Sequence, residues 1–196
     1  MAYDVLIVGG GPAGCSAAIF LARAGKQVQV IDDETGGSQR ALVRNHYGRP
    51  EDTPGPTLLA DGKQQAKKYG ASFANERVQK AERIGDLWRL TTPSHTFEAP
   101  ILVLATGTQT QLAEQIGVPL QPGREPHVRQ IAVHDGRGKT ALPGLWVAGI
   151  LFGVSVHTII TAGNGAQVAV EILSEERGTR FVDHDVLSSQ PTASNS

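Results

Sequence analysis

Hydrophobic and polar positions along this chain fall into blocks that alternate between strand and helix. Val5 to Val8 is a continuous apolar run closed by glycines. Such a run reads as a strand of a parallel sheet, covered on both faces. From Ala13 to Ala24 small and apolar residues recur at helical spacing, and Gly25 supplies the stop. The stretch "QVQVID" predicts a second strand. Strand, helix and strand together fill about thirty residues, the length a β-α-β unit needs.

Residues 34–56 are rich in glycine, proline and polar side chains and predict a long functional loop. Thr57 to Tyr69 reads as a helix closed by Gly70, and residues 71–107 as successive strands with a turn at Gly85-Asp86. Ile101 to Ala105 is apolar throughout, which predicts a central strand. Thr108 to Thr140 is weakly patterned and carries Pro119, Pro122 and Pro126. Leu145 to Ala148 predicts another buried strand, stopping at Gly149. Ser155 to Leu173 predicts a helix interrupted by Gly163 and Gly165. From Ser174 the chain turns polar, and a flexible tail is expected over residues 176–196. The pattern gives an α/β fold. A Rossmann-like parallel sheet is flanked by helices, with a small antiparallel β-meander, in a single domain over residues 1–175.

Composition narrows the function. The chain has 196 residues, 40% of them hydrophobic, and a formal net charge of −1. Near-neutral charge gives no reason to expect a nucleic acid or an anionic membrane as partner. The one cysteine, Cys15, leaves no C-x-x-C, so an intrachain disulfide, a dithiol redox centre and a cysteine zinc site are excluded. Cys15 is expected to be a small packed residue facing the sheet. His46, His95, His127 and His134 lack metal-ligand spacing, and no metal is expected. Tyr47 and Trp88 could stack on a planar ligand, but packing is their expected role. The N-terminus enters a strand without a basic stretch and a long apolar run, so neither a signal peptide nor a membrane span is expected, and the location is read as cytoplasmic.

Gly9, Gly11 and Gly14 form G-x-G-x-x-G between a predicted strand and a predicted helix. Gly9 permits the tight turn, Gly11 lets backbone approach a pyrophosphate, and Gly14 lets helix and strand pack closely. The helix N-terminus would hold the pyrophosphate through free N–H groups and the helix dipole. Asp32, 18 residues beyond Gly14, ends the second strand. A carboxylate there accepts hydrogen bonds from adenosine ribose hydroxyls and repels a 2′-phosphate, which favours FAD or NAD over NADP. A glycine-rich turn without ligand is the structural alternative.

The opening "DVLIVGGGPAGCSAAIFLARAGKQVQVID" resembles the FAD-binding start of thioredoxin reductase-like flavoproteins, within the pyridine nucleotide-disulfide oxidoreductase superfamily. "ILVLATG" is similar to that family's strand ending in A-T-G, and "GKTALPGLWVAGILFGVSVHTIITAGNGAQVAVEIL" to its closing strand, which ends in A-G-D, and the helix after it. The resemblance implies FAD as cofactor. It implies Gly9, Gly11, Pro12, Ala13 and Gly14 along the pyrophosphate and Asp32 on the adenosine ribose. It also implies Gly37 and Asn45 along the FAD, Val78 on adenine, and Thr106 and Gly107 near the dinucleotide. Gly149 and Ile150 would lie at the end of the closing strand. His157, Thr158 and Ile159 would turn helix N–H groups toward the pyrimidine edge of the flavin, stabilising negative charge on the reduced ring.

Two departures stand out. In thioredoxin reductase a second Rossmann domain, which binds NADPH and carries C-x-x-C, lies between the A-T-G and A-G-D strands. Here Gly107 to Pro143 is far too short for a domain, so residues 108–140 replace it and a complete thioredoxin reductase is excluded. The family's aspartate, which accepts a hydrogen bond from the FAD ribityl chain, aligns with Ile150. The expectation is an FAD-dependent oxidoreductase using bound FAD as redox centre, with electrons from free NAD(P)H or a partner protein, and a homodimer or partner covering the flavin. Alternatives are a non-catalytic FAD-binding module or assembly subunit, and an NAD-binding Rossmann module.

Overall fold

A computed structural model describes residues 2–186. The opening unit is β1 (Val5–Val8), α1 (Pro12–Arg23) and β2 (Val28–Ile31). A surface segment follows, with a 3-10 turn at Gly37–Arg40 and the paired short strands β3 (Leu42–Val43) and β4 (Thr53–Pro54). Next come α2 (Gly55–Lys68), β5 (Ser72–Ala74), β6 (Lys80–Ile84), β7 (Leu87–Thr91), β8 (Thr96–Ala99) and β9 (Ile101–Leu104). The chain then forms α3 (Gln111–Gln115) and a hairpin of β10 (Leu120–Pro122) with β11 (Gln130–Ala132). It ends in β12 (Leu145–Val147), a 3-10 turn at Gly149–Phe152, and α4 (Thr158–Arg177).

Five strands form a parallel sheet in the order β12-β9-β1-β2-β5. A period of two divides the apolar run of β1 between two cores. Val5 and Ile7 pack with Leu21, Val168 and Ile172 of α1 and α4. Leu6 and Val8 pack with Trp88, Leu90, Leu102 and Ala132 on the other face. The antiparallel meander β6-β7-β8 covers that second face. This is the α/β architecture that the alternating pattern predicts. Trp88 belongs to this core, 2% exposed, with Nε1 donating to the Pro143 carbonyl at 3.0 Å.

Several boundaries differ from the sequence expectation. α4 begins at Thr158, not Ser155, and runs unbroken past both glycines to Arg177. Gly165 is there for contact, not interruption: a Cβ on it would lie 2.0 Å from the Ala13 carbonyl oxygen. Gly163 faces open space. Cys15 faces α2, not the sheet, since a Cβ on Gly62 would meet the Cys15 Cβ at 3.4 Å. Residues 108–140 are folded, with Ala113 and Ala132 almost fully buried. The polar segment from 176 is partly tied down. Phe181 is buried, and Arg23 Nε donates to Asp183 Oδ2 at 2.7 Å. The "SSQPTASNS" end of the expected tail lies outside the described residues. No described helix is long and apolar enough to cross a membrane.

The two α4 glycines make a paired test. Gly165→Ala should cost about 3 kcal/mol or prevent folding, because backbone cannot yield as a side chain can. Gly163→Ala should be neutral or stabilise by up to about 1 kcal/mol through helix propensity. Urea unfolding of both variants measures the difference.

Candidate dinucleotide-binding site

The carboxyl ends of β1, β2, β9 and β12 open on one cavity of about 660 Å³. That edge of an open parallel sheet is where such folds place ligands. At the end of β1, Gly9 adopts φ +103°, and a Cβ on it would come within 2.4 Å of the Ala105 carbonyl oxygen. Gly14 lies so close to the Gly9 carbonyl that a Cβ would sit 1.9 Å from its oxygen. Gly11 differs from both. It lines the cavity, and a Cβ there would meet nothing within 4 Å, so this is open ground for a ligand.

α1 starts directly beyond, with Pro12 in its first turn and no acidic residue there. Among the described residues no side chain caps this end. Its first N–H groups are therefore left to an anion, with the helix dipole behind them.

Asp32 follows β2, its N–H donating to the Ala74 carbonyl at 3.0 Å. Its carboxylate rests against Gly10, where a Cβ would stand 2.7 Å from Oδ2. Lys63 of α2 reaches the same oxygen at 3.1 Å and Glu34 Oε1 at 2.7 Å. Glu34 is held below the usual carboxylate range by its hydrogen bond to Lys63. Lys63 itself is raised: burial opposes its charge, but hydrogen bonds to Glu34 and Asp32 outweigh burial.

At the other end of the cavity Gly149 adopts φ +69°, and a Cβ on it would come within 2.8 Å of the Ala13 Cβ. Its N–H donates to Oδ1 of the buried Asn164 at 2.7 Å. That bond fixes the end of β12 onto α4. Ile150 follows on the cavity wall, and Thr158 and Thr161 bring the start of α4 to the same place. The cavity thus touches the N-terminal turns of α1 and α4, and the short α3 reaches it through Gln111 and Leu112.

Gly9, Gly11, Pro12, Ala13, Asp32, Gly37, Val78, Thr106, Gly107, Gly149, Ile150 and Thr158 all line this cavity. Gly14, Asn45, His157 and Ile159 do not. Gly14 sits behind the loop as a packing glycine. Asn45 is exposed. Its neighbour His46 makes the tie between that loop and α4, with Nδ1 2.9 Å from Thr158 Oγ1. His157 occupies the N-cap position of α4, its ring against Ser155 Oγ at 2.8 Å. What the resemblance implies for residues 157–159 runs through backbone N–H groups, and the side chains of His157 and Ile159 lie outside the cavity. Tyr47, 93% exposed, is also outside it.

Sequence reasoning missed Thr35, Ser38, Arg77, Gln109, Gln111 and Gln115 on the wall, and Asn164 and Lys63 behind it. Asn164, a polar residue between two glycines on an apolar helix, was a readable signal. The glutamines carry no motif. Among the described residues no group of three or more His, Cys, Asp or Glu side chains could hold a metal ion.

Fold and cavity together define a dinucleotide-binding α/β domain. Residues 2–47 match a family of FAD-binding domains. The thioredoxin reductase of Rickettsia bellii is 34% identical over 121 residues, covering 60% of this chain and 38% of that protein. The thioredoxin reductase of Listeria monocytogenes is 31% identical over 137 residues, covering 68% of this chain and 42% of that protein. This chain therefore spans about two-fifths of the length of these curated relatives. The solved structure of a thioredoxin reductase from Gloeobacter violaceus superposes with a TM-score of 0.73 at 18% identity, over 95% of this chain and 99% of that one. An oxidoreductase from Agrobacterium tumefaciens superposes with 0.76 at 14% identity, over 90% and 99%. In sequence and fold the chain resembles the FAD-binding part of thioredoxin reductases, and these matches indicate FAD as its cofactor.

Cys15 is 3% exposed, and its Sγ lies 3.1 Å from the Gly10 carbonyl oxygen. Burial pushes its thiol up to about 12. The thiolate is the reactive form, so at pH 8 a disulfide reagent should fail to label the native protein. Rapid labelling is expected only after denaturation. Absorbance of the released thiol anion checks both.

Proposed function

We propose that this chain is the FAD-holding part of an oxidoreductase of thioredoxin reductase-like ancestry. In this reading bound FAD supplies the redox chemistry, with electrons delivered by free NAD(P)H or by a partner protein. The observation that carries the proposal is the meeting, in one cavity, of two uncapped helix N-termini with a strand-end carboxylate. A molecule with a pyrophosphate, a ribose and an electron-accepting ring fits that charge arrangement. The α1 end would bind the pyrophosphate and Asp32 the ribose hydroxyls. The start of α4 would stabilise negative charge on the ring, which favours its reduced form. Residues 1–175 act as one FAD domain, with residues 108–140 in the place of the relatives' inserted domain.

A partner over the flavin end completes this reading. Val156, Ile159 and Ile160, at or near the start of α4, are 43%, 36% and 44% exposed. Clustered exposed apolar residues favour a covering surface, and a second copy of the chain, in the cytoplasm, is the simplest. A second reading, a binding module that does no chemistry, is favoured by Ile150. An isoleucine on the cavity wall cannot accept a hydrogen bond from the ribityl chain.

Two measurements follow. The purified protein should show a flavin absorption spectrum and be bleached anaerobically by NADH, NADPH or a reduced protein donor. A yellow protein that none of these reduces would establish the binding-module reading. Ile150→Asp should tighten FAD binding about ten- to a hundredfold, since one recovered hydrogen bond is worth about 1–3 kcal/mol. Fluorescence titration gives the affinity, and an unchanged value would show that this position is not what limits it.

A further inference from the structure

Asp32, Asp33 and Glu34 are three consecutive carboxylates at the end of β2, and the first two face the cavity. Such a run repels a pyrophosphate unless it is compensated. Arg77 stands 3.7 Å from Asp33. The closer compensation comes from behind. Lys63 projects from α2 between Asp32 and Glu34, 3.1 Å and 2.7 Å away. Its side chain is 17% exposed and that of Asp32 14%. An exposed ion pair contributes little because water screens it and both partners stay mobile. This pair is largely withdrawn from water, Glu34 gives the lysine a second partner, and the carboxylate lies close to Gly10. Lys63 does not line the cavity. An ionised carboxylate offers about four lone-pair positions. Lys63 occupies one on the α2 side and leaves others for a ligand.

We infer that Lys63 is the positioning residue for Asp32, orienting its carboxylate toward the adenosine ribose. The inference rests on the FAD reading only in the choice of ligand, because the adenosine half is common to FAD, NAD and ADP. FMN lacks that half and serves as the control.

The test compares wild type, Lys63→Met, Lys63→Arg, Asp32→Asn and the Asp32→Asn/Lys63→Met double variant. Kd is measured for FAD, ADP and FMN, with thermal unfolding of each protein. Lys63→Met should weaken FAD and ADP about tenfold and leave FMN unchanged, and Lys63→Arg should recover all but about threefold. In the Asp32→Asn background, removal of Lys63 should cost less than about threefold, because its target is gone. Equal losses in both backgrounds, equal losses for FMN, or no loss at all would overturn the inference. So would a Lys63→Met protein that no longer unfolds cooperatively while Lys63→Arg binds no better. Should wild type bind ADP but not FAD, with this order preserved, the FAD reading fails and the role of Lys63 stands. Binding of neither ligand overturns both.

Discussion

Gly14 faces the Gly9 carbonyl, and Gly165 faces the carbonyl of Ala13, at separations that leave 1.9 Å and 2.0 Å for any Cβ. No side chain could stand at either place, and the site depends on both. The first contact lets α1 begin directly on the loop that leaves β1. The second lets α4 lie against the start of α1. Together they bring two helix N-termini to the same edge of the sheet, where their dipoles face one cavity. Gly149 completes the arrangement against Ala13, and Asn164 ties its N–H to α4. Ala13 is thus the residue around which both halves of the cavity close.

Charge in the cavity is graded from end to end. The helix starts supply positive potential without any basic side chain, which suits a pyrophosphate and a ring that becomes more negative on reduction. The β2 end supplies an acidic run, moderated by Lys63 and Arg77. Ile150, beside Gly149, contributes an apolar wall.

Much of this was legible in the chain itself. The apolar run Val5–Val8, the glycine spacing after it and Asp32 18 residues beyond Gly14 locate a β-α-β unit and its ligand edge. They do so because strand burial, tight turns and helix starts are local demands, met by neighbouring residues. The "ILVLATG" and "LWVAG" strands were equally plain, each apolar until it reaches the edge. The breaks expected at Gly163 and Gly165 were wrong for a physical reason. A glycine that weakens a helix and a glycine that admits another backbone look the same in sequence.

Residues 108–140 escaped prediction for a related reason. A five-residue helix and a hairpin of three-residue strands carry too few periods to register, and they hold together because Ala113 and Ala132 meet the sheet. Lys63 is 31 residues from Asp32, on an element whose polar face reads as ordinary solvent surface. The sequence by itself therefore determined the α/β class, the ligand edge and the chemistry of the first helix start. Tertiary structure alone decided which lysine meets Asp32, which glycine is a contact, and that both helix ends share one cavity. Periodicity records what each residue does within its own element, and these features are distances between elements.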